Sequence, residues 1–379
     1  MKPVSPYRFG APVSAPHFCD REKETEVLKA RMRDGIHVFV LSPRRYGKTS
    51  LLERAGAELQ RDGAAVGYLN LLFCSTPAEV ASAILSAVVD ATLSRKARAT
   101  RSIEALLKRL RVAPVVSFDA SGALKLSVEP SLGRRTWEAI LHDARDILIE
   151  ESTQRPAALI LDEFQAVASI GPKGMGGVFK ALADGVSSAS LVFSGSHLSV
   201  MESLTTRRGS PLYGMGERIV LDVIPEAAML PYLQRRAKFA GRTMPAGVAR
   251  LVYERARAVP HYVQYLAQAT LDGTEPGSTL REEDVLSGLN AVVAMQAGDY
   301  VERFEVLAGS QQRILRALAA TPSRGVYARD FLDQVDVGNA NGVTQAVRVL
   351  EARELIQRRK GVWTVVDPFF AHWLADSVR

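Results

Sequence analysis

The sequence has little sulfur: of its 379 residues, only Cys19 and Cys74 are cysteines. Two thiols build neither a disulfide framework nor a four-thiolate zinc site, and such usage suits the reducing cytoplasm. No apolar run approaches the ~20 residues that a membrane-spanning helix needs, so no membrane association is expected. The opening MKPVSPYRFGAPVSAP lacks the apolar core of a secretory signal and reads as an extended leader. Internal repeats are missing too, which removes solenoids and propellers. Charge of one sign is only slightly in excess, with 48 Lys+Arg against 41 Asp+Glu, a net of +7. That lean toward polyanions describes a solvated surface as readily as a nucleic-acid footprint. What the chain does have is apolar mass: 47% of it is hydrophobic and 23% charged. These proportions exclude a disordered or fibrous chain and suit two or three packed units.

Hydrophobic patterning divides the chain. Residues 1–32 form the leader and a first helix, for which Cys19-Asp20 offers a cap. His37–Leu41 is a β-branched and aromatic run, read as a strand buried on both faces. An amphipathic helix over Ser50–Arg61, a strand at Ala65–Leu72 and a helix at about Pro77–Leu93 follow. This alternation predicts a parallel α/β sheet domain over 33–224. Residues 95–130 interrupt it. Arg95, Lys96, Arg98, Arg101, Lys108, Arg109 and Arg111 face the single acid Glu104, and a hairpin pattern is centred on Ser121-Gly122. The basic run reads as a solvated helical face or as a polyanion site. Strands resume at Ala157–Leu161, Leu191–Phe193 and Ile219–Val223. Residues 225–300 form an all-α unit. Within 301–379, three helices (Gln311–Ala320, Tyr327–Val335, Val343–Arg353) precede two short strands joined by the turn Arg358-Arg359-Lys360-Gly361, the layout of a winged helix.

Between the first strand and its helix lies Ser42-Pro43-Arg44-Arg45-Tyr46-Gly47-Lys48-Thr49, followed by Ser50. It matches the phosphate-binding pattern G-x-x-x-x-G-K-[ST] except for Ser42 at the first position. A compact loop aims backbone N–H groups inward, and the helix start adds its positive end. Gly47 lets the backbone approach phosphates, Lys48 can bridge the β- and γ-phosphates, and the Thr49 hydroxyl can coordinate Mg²⁺. The bland alternative is a chance turn with a solvated lysine, which the strand–loop–helix context argues against. A second apolar strand ends in Asp162-Glu163. Alone these are surface charges; behind a phosphate loop, Asp162 can hold Mg²⁺ through water and Glu163 can orient or deprotonate an attacking water. With at least one strand between the two motifs, the order fits the additional-strand ATPases. Leu191–Ser196 is a strand ending in hydroxyls, with Ser196 the candidate γ-phosphate sensor and Ser194 the alternative; an ordinary turn reads the same. Pro260 at the start of a lid helix can pack over adenine and ribose, or simply begin the helix.

Together these segments resemble the archaeal-type ATPases of the STAND branch of the AAA-type P-loop superfamily, over about Phe9 to Trp373. PYRFGAPV and FCDREKETEVL look like the family's leader and Gly-Arg-Glu box, with Asp20 in place of Gly before Arg21-Glu22. RRYGKTSLL resembles its phosphate loop, LILDEFQ its Mg²⁺ strand and SGSHLSVM its sensor strand. AVPHYVQYL is similar to its Gly-x-Pro lid motif, with Ala258 where Gly is usual. VTQAVRVLEARELIQRR and VVDPFFAHWL look like its winged helix and closing segment. The resemblance implies a P-loop NTPase sheet of the additional-strand, AAA type, followed by an all-α lid and a winged-helix domain. It implies ATP rather than GTP, with Mg²⁺ as cofactor, and a nucleotide-dependent homo-oligomer. After Leu212-Tyr213-Gly214 the family commonly places an Arg that can reach a neighbouring nucleotide. Met215 stands here, leaving Arg207, Arg208 and Arg218 as candidates.

The winged helix can touch DNA or a protein partner, through Arg348 and Arg353 on its third helix and Arg358, Arg359 and Lys360 on the wing. No metal site beyond Mg²⁺ is expected, and Trp137, Trp363 and Trp373 read as packing anchors. Three functions stay open: an ATPase switch acting on a protein partner, an ATPase that loads on or remodels DNA, and a nucleotide-dependent scaffold with negligible turnover.

Overall fold

A computed structural model describes residues 5–92, 113–118, 124–129, 136–171, 175–186, 188–336 and 340–376. The chain divides into two compact units: Pro12–Val223, and Met1–Ala11 together with Ile224–Arg379.

The first unit is built on five parallel strands: β1 (Val38–Leu41), β2 (Ala65–Asn70), β5 (Ala157–Asp162), β6 (Ser190–Gly195) and β7 (Glu217–Val220), in the order β2-β5-β6-β1-β7. Their apolar runs are continuous because both faces are covered. Phe39, Leu41, Leu159, Leu161, Leu191 and Phe193 point to one face. There they pack against α3 (Pro77–Thr92), α4 (Trp137–Ser152) and α5 (Gly176–Asp184). Val38, Val40, Ala158, Ile160 and Val192 point to the other, beneath α1 (Glu22–Arg33) and α2 (Lys48–Arg61). Phe193 sits at the centre of the first layer, fully buried, with ring centroids 5.1 Å from Phe39 and 4.7 Å from Phe164. β6 lies between β1 and β5, so the phosphate-loop strand and the acidic strand are not neighbours, as the additional-strand order requires. β3 (Ala113–Phe118) and β4 (Leu124–Glu129) form a separate antiparallel pair closing at Phe118↔Leu124. The tip at Ser121-Gly122 and the whole basic run over 95–111 lie outside the described residues.

Three local expectations are corrected. Cys19-Asp20 does not cap α1. Arg21 holds that position in the left-handed region, φ 75°, with no side-chain cap. Its guanidinium instead bonds Glu24, the Tyr46 carbonyl and the Asp222 carbonyl. β2 ends at Asn70, two residues early, because the Asn70 side chain accepts from Leu72 N at 3.0 Å and turns the chain into a short 3₁₀ helix. β7 begins at Glu217, where its register against Val38 starts, rather than at Ile219.

The second unit holds the helices α7 (Glu226–Phe239), α8 (Ala246–Arg255), α9 (Pro260–Asp272) and α10 (Glu282–Glu305). α6 (Leu198–Thr205) precedes them in the first unit. α10 runs continuously past residue 300. Then come α11 (Gly309–Ala320), α12 (Arg329–Val335), α13 (Ala340–Ala352), the hairpin β8 (Ile356–Arg359) and β9 (Val362–Val365), and α14 (Pro368–Asp376). Asp367 caps α14, accepting from Phe369 N at 2.9 Å and Phe370 N at 3.2 Å. α14 packs on α10 through Tyr300, Phe304, Phe370 and Trp373, and on α9 through Phe369 against Tyr262 and Tyr265. The leader joins this layer: buried Tyr7 donates to the Leu233 carbonyl at 2.6 Å, and Phe9 stacks on Tyr265 at 4.2 Å.

Candidate nucleotide site

The C-terminal ends of β1, β5 and β6 bring the sequence-predicted residues together. Leaving β1, Ser42 is fully buried and its N–H donates to the Gly195 carbonyl at 3.5 Å. Ser42 is not among the residues with positive φ, so a serine fills the usual glycine position without backbone strain. Arg45 (φ 72°) and Gly47 (φ 86°) are left-handed, and they fold the loop back on itself. A side chain at Gly47 would meet open space, so it is the positive φ there that favours glycine. Arg44, Arg45 and Gly47 are exposed, Pro43 is half-buried and Tyr46 is buried, its carbonyl held by Arg21. The loop ends in the first turn of α2, whose N–H groups have no intrahelical partner. Ser50 turns its hydroxyl away to accept from Val13 N at 2.9 Å.

Lys48 is the pivot of the site. Its side chain is 6% exposed, and Nζ lies 3.3 Å from Asp162 Oδ1 and 3.1 Å from Glu163 Oε1. Asp162 is fully buried at the tip of β5 and accepts four further hydrogen bonds. Ser194 Oγ (2.8 Å) and Glu163 N (2.9 Å) reach Oδ1; Thr49 Oγ1 and Tyr68 OH, both at 2.9 Å, reach Oδ2. Burial pushes its carboxyl up. The Lys48 ammonium and the bonds from Ser194, Thr49 and Glu163 N outweigh this and hold it below the usual carboxylate range. Burial and the Asp162 charge push the Tyr68 phenol up, so it stays a donor. Glu163 is left-handed, φ 53° and ψ 41°, an unfavourable backbone of the kind that gathers at working sites. Its Oε2 accepts from Ser196 Oγ at 2.8 Å and from Gln165 Nε2. Ser194, near the end of β6, thus sits on Asp162, and Ser196, just past that end, on Glu163.

The donor set fits a small hard cation beside phosphates. Thr49 and Asp162 present two oxygens 2.9 Å apart. Among the described residues, no group of three or more His, Cys, Asp or Glu is arranged to hold a metal. An ion there would therefore complete its shell with phosphate oxygens and water, the habit of Mg²⁺. Tyr68 and Gln165 are the site residues that sequence reasoning missed. A parallel register pairing Asn70 with Asp162 places Tyr68 two residues from the strand end, and Gln165 follows the acidic pair directly.

The remaining candidates belong to other elements. Arg207 and Arg208 are exposed beyond α6; Arg218, on β7, is exposed and donates to Thr205 Oγ1 at 2.7 Å. Pro260 is the first residue of α9 in the second unit. Arg257 (φ 50°) and Ala258 (φ 61°) ahead of it are both left-handed, as is Asp20 (φ 58°). Ala258 and Asp20, which stand where the resembled family has glycine, are thus among the positions where a glycine would be at ease. On the winged helix, Asn341, Gln345 and Arg348 form one exposed stripe of α13, spaced to share a face. Arg353 reaches back to the Val306 carbonyl at 3.5 Å. The wing corrects the expected four-residue turn: Arg358 and Arg359 belong to β8, and only Lys360 (φ 47°) and Gly361 (φ 80°) make the turn. Two left-handed residues are what a tight primed hairpin turn uses. Arg358 is exposed, with its guanidinium 6.0 Å from the Trp363 ring.

A family model described as "Probable winged helix domain" matches residues 298–376. Comparison with curated proteins finds no match. Among solved structures, the Walker-type ATPase paby2304 of Pyrococcus abyssi is similar with a TM-score of 0.64 at 16% identity, covering 95% of this chain and 97% of that one. The Aeropyrum pernix ORC2 protein in its ADPNP–ADP complexes gives 0.57 at 15% identity, covering 98% and 97%. The Aeropyrum pernix ORC1 protein in complex with DNA gives 0.51 at 13%, covering 96% and 95%. With identities this low, the likeness is one of architecture: the chain has a P-loop NTPase fold, a parallel sheet with flanking helices, and ends in a winged helix.

Proposed function

We propose that the chain is an ATP-binding and ATP-hydrolysing molecular switch of the STAND/AAA type, acting in the cytoplasm, that couples nucleotide state to its winged helix. The observation that carries this reading is the meeting of Lys48, Thr49, Asp162, Glu163 and Ser196 at one end of the sheet, beside a left-handed glycine loop. Open α/β sheets bind ligands at that end. On this reading, residues 42–50 cradle the phosphates and Lys48 exchanges its two carboxylates for phosphate oxygens. Thr49 and Asp162 would hold Mg²⁺, which when bound supplies charge neutralisation at the phosphates. Glu163 takes the proton of the attacking water and Ser196 donates to the terminal phosphate. ATP shifts the protein between states only by its difference in affinity for them, tenfold being about 1.4 kcal/mol. Nucleotide-dependent homo-oligomerisation belongs to the same reading, with Arg207, Arg208 and Arg218 as the groups that would reach a neighbouring copy. Turnover and nucleotide titration test it. Glu163→Gln should bind ATP and lose hydrolysis, and a Lys48→Ala protein with normal ATP affinity would sink the assignment.

The partner of the winged helix is either a protein or DNA. Duplex DNA is supported by the exposed stripe Asn341-Gln345-Arg348 beside Arg358 and Lys360, and by the likeness to an ORC1 structure that holds DNA. Binding that steepens with falling salt and depends on Arg348 and Arg358 separates the two.

A further inference from the structure

Gln165, like Tyr68 and Ser194, has no part in that scheme, yet among the described residues it is the side chain that touches both Glu163 and Ser196. Its Nε2 donates to Glu163 Oε2 and lies 3.3 Å from Ser196 Oγ, while its Oε1 accepts from Ser196 N at 3.3 Å. The fit is close. A side-chain carbon at Gly195 would stand 2.9 Å from Gln165 Oε1 and 2.5 Å from Met201, so the missing side chain makes the room.

Proton counting separates Gln165 from the other groups on Glu163. A serine hydroxyl has one proton, and Ser196 gives it to Glu163 Oε2 at 2.8 Å. The same proton is not available to a terminal phosphate until that bond breaks. Lys48, on Glu163 Oε1, is claimed by phosphates in the same way. Nucleotide binding therefore strips the glutamate of two of its three side-chain partners at once. Gln165 keeps both of its attachments, because its N–H groups and carbonyl are not needed by the ligand.

We propose that Gln165 is the positioning residue of the hydrolytic step. It holds Glu163 facing the site after a γ-phosphate has taken Ser196 and Lys48, and it links release of Glu163 Oε2 from Ser196 to the arrival of that phosphate. In the nucleotide-free protein the glutamate is captured; a diphosphate, which lacks the group that Ser196 meets, leaves it captured. This inference rests on the ATPase reading above and deepens it.

The test uses the full chain with Gln165→Leu, which removes both polar ends, and Gln165→Glu, which keeps the acceptor for Ser196 N but sets an oxygen against Glu163. Melting curves establish that each variant is folded. For each folded variant, the affinity of a non-hydrolysable ATP analogue is measured alongside steady-state turnover. We expect kcat to fall about 100-fold in both, with analogue affinity within about twofold of wild type. In the Glu163→Gln background, Gln165→Leu should cost nothing further, because both changes remove one device. Wild-type turnover in the variants, joint loss of affinity and turnover, or full additivity with Glu163→Gln would each overturn the proposal while the ATPase reading stands. A wild-type chain that binds no ATP analogue, or does not turn ATP over, removes the ATPase reading and this inference with it.

Discussion

Replacing Lys48 by alanine should damage the fold as well as ligand binding, by an amount that depends on pH. Asp162 is fully buried, and Lys48 is the only cation among its observed contacts. Removing one member of a buried pair commonly costs about 3–5 kcal/mol. Two features narrow that range. Ser194, Thr49, Tyr68 and the Glu163 amide still donate to Asp162, which favours the low end. Protonation sets a ceiling: keeping neutral a carboxyl whose ordinary value is 3.8 takes about 1.4 kcal/mol per pH unit, so about 4 kcal/mol at pH 7 and under about 2 at pH 5. In the wild type the depressed carboxyl adds stability above its ordinary value, lost as pH falls through the lower folded one. In Lys48→Ala the unpaired carboxylate is raised instead, so its penalty grows with pH. Urea denaturation without nucleotide should therefore show a gap of about 3–4 kcal/mol at pH 7 that narrows to under about 2 at pH 5. Adding Asp162→Asn should close most of it, and Lys48→Arg should open little of it. A gap of equal size at both pH values, or none at pH 7, would refute the electrostatic argument.

Phe193→Ala removes the ring that meets Phe39, Phe164 and Phe179 and should cost about 3–5 kcal/mol in the same denaturation experiment. His37 accepts from Leu191 N at 3.1 Å and its Nε2 lies 3.3 Å from the Ala183 carbonyl, so it is neutral with the proton on Nε2. Burial holds it below its ordinary 6.5, against the opposing pull of the Ala183 carbonyl and Asp184, so stability should drop as pH falls through that value. His37→Gln should flatten this part of the profile, and parallel profiles would discard the assignment. Ala258→Gly relieves a left-handed alanine and should raise stability by about 0.5–1 kcal/mol, read as a shift in urea midpoint. If the winged helix holds duplex DNA, Arg348→Ala and Arg358→Ala should each lower the slope of log affinity against log salt by about one, measured by fluorescence anisotropy.

The sheet and the acidic and lysine members of the site were legible in the chain because each leaves a local mark. VFVL and AALILD are apolar without alternation, which only a strand covered on both faces tolerates, and the loop and acid pair sit at fixed offsets from them. Tyr68 and Gln165 left no such mark: their roles come from a strand register and from the gap beside Gly195, neither of which is a property of neighbouring residues. Helix and strand ends were misread where a side chain acts at a distance. Arg21 is engaged with Asp222, and Asn70 bends its own strand. Of the three sites where this chain departs from an expected glycine, Asp20 and Ala258 are left-handed, which is a physical reason for glycine there, whereas Ser42 is not.

The packing of Tyr7 also bears on any attempt to dissect the molecule. A fragment of residues 224–379 would lack the phenol that donates to the Leu233 carbonyl and the ring that lies on Tyr265. It would carry a vacant hole among its helices. A synthetic heptapeptide of residues 5–11, added in trans, should bind that fragment and raise its melting temperature, and the same peptide with Tyr7→Ala should do neither.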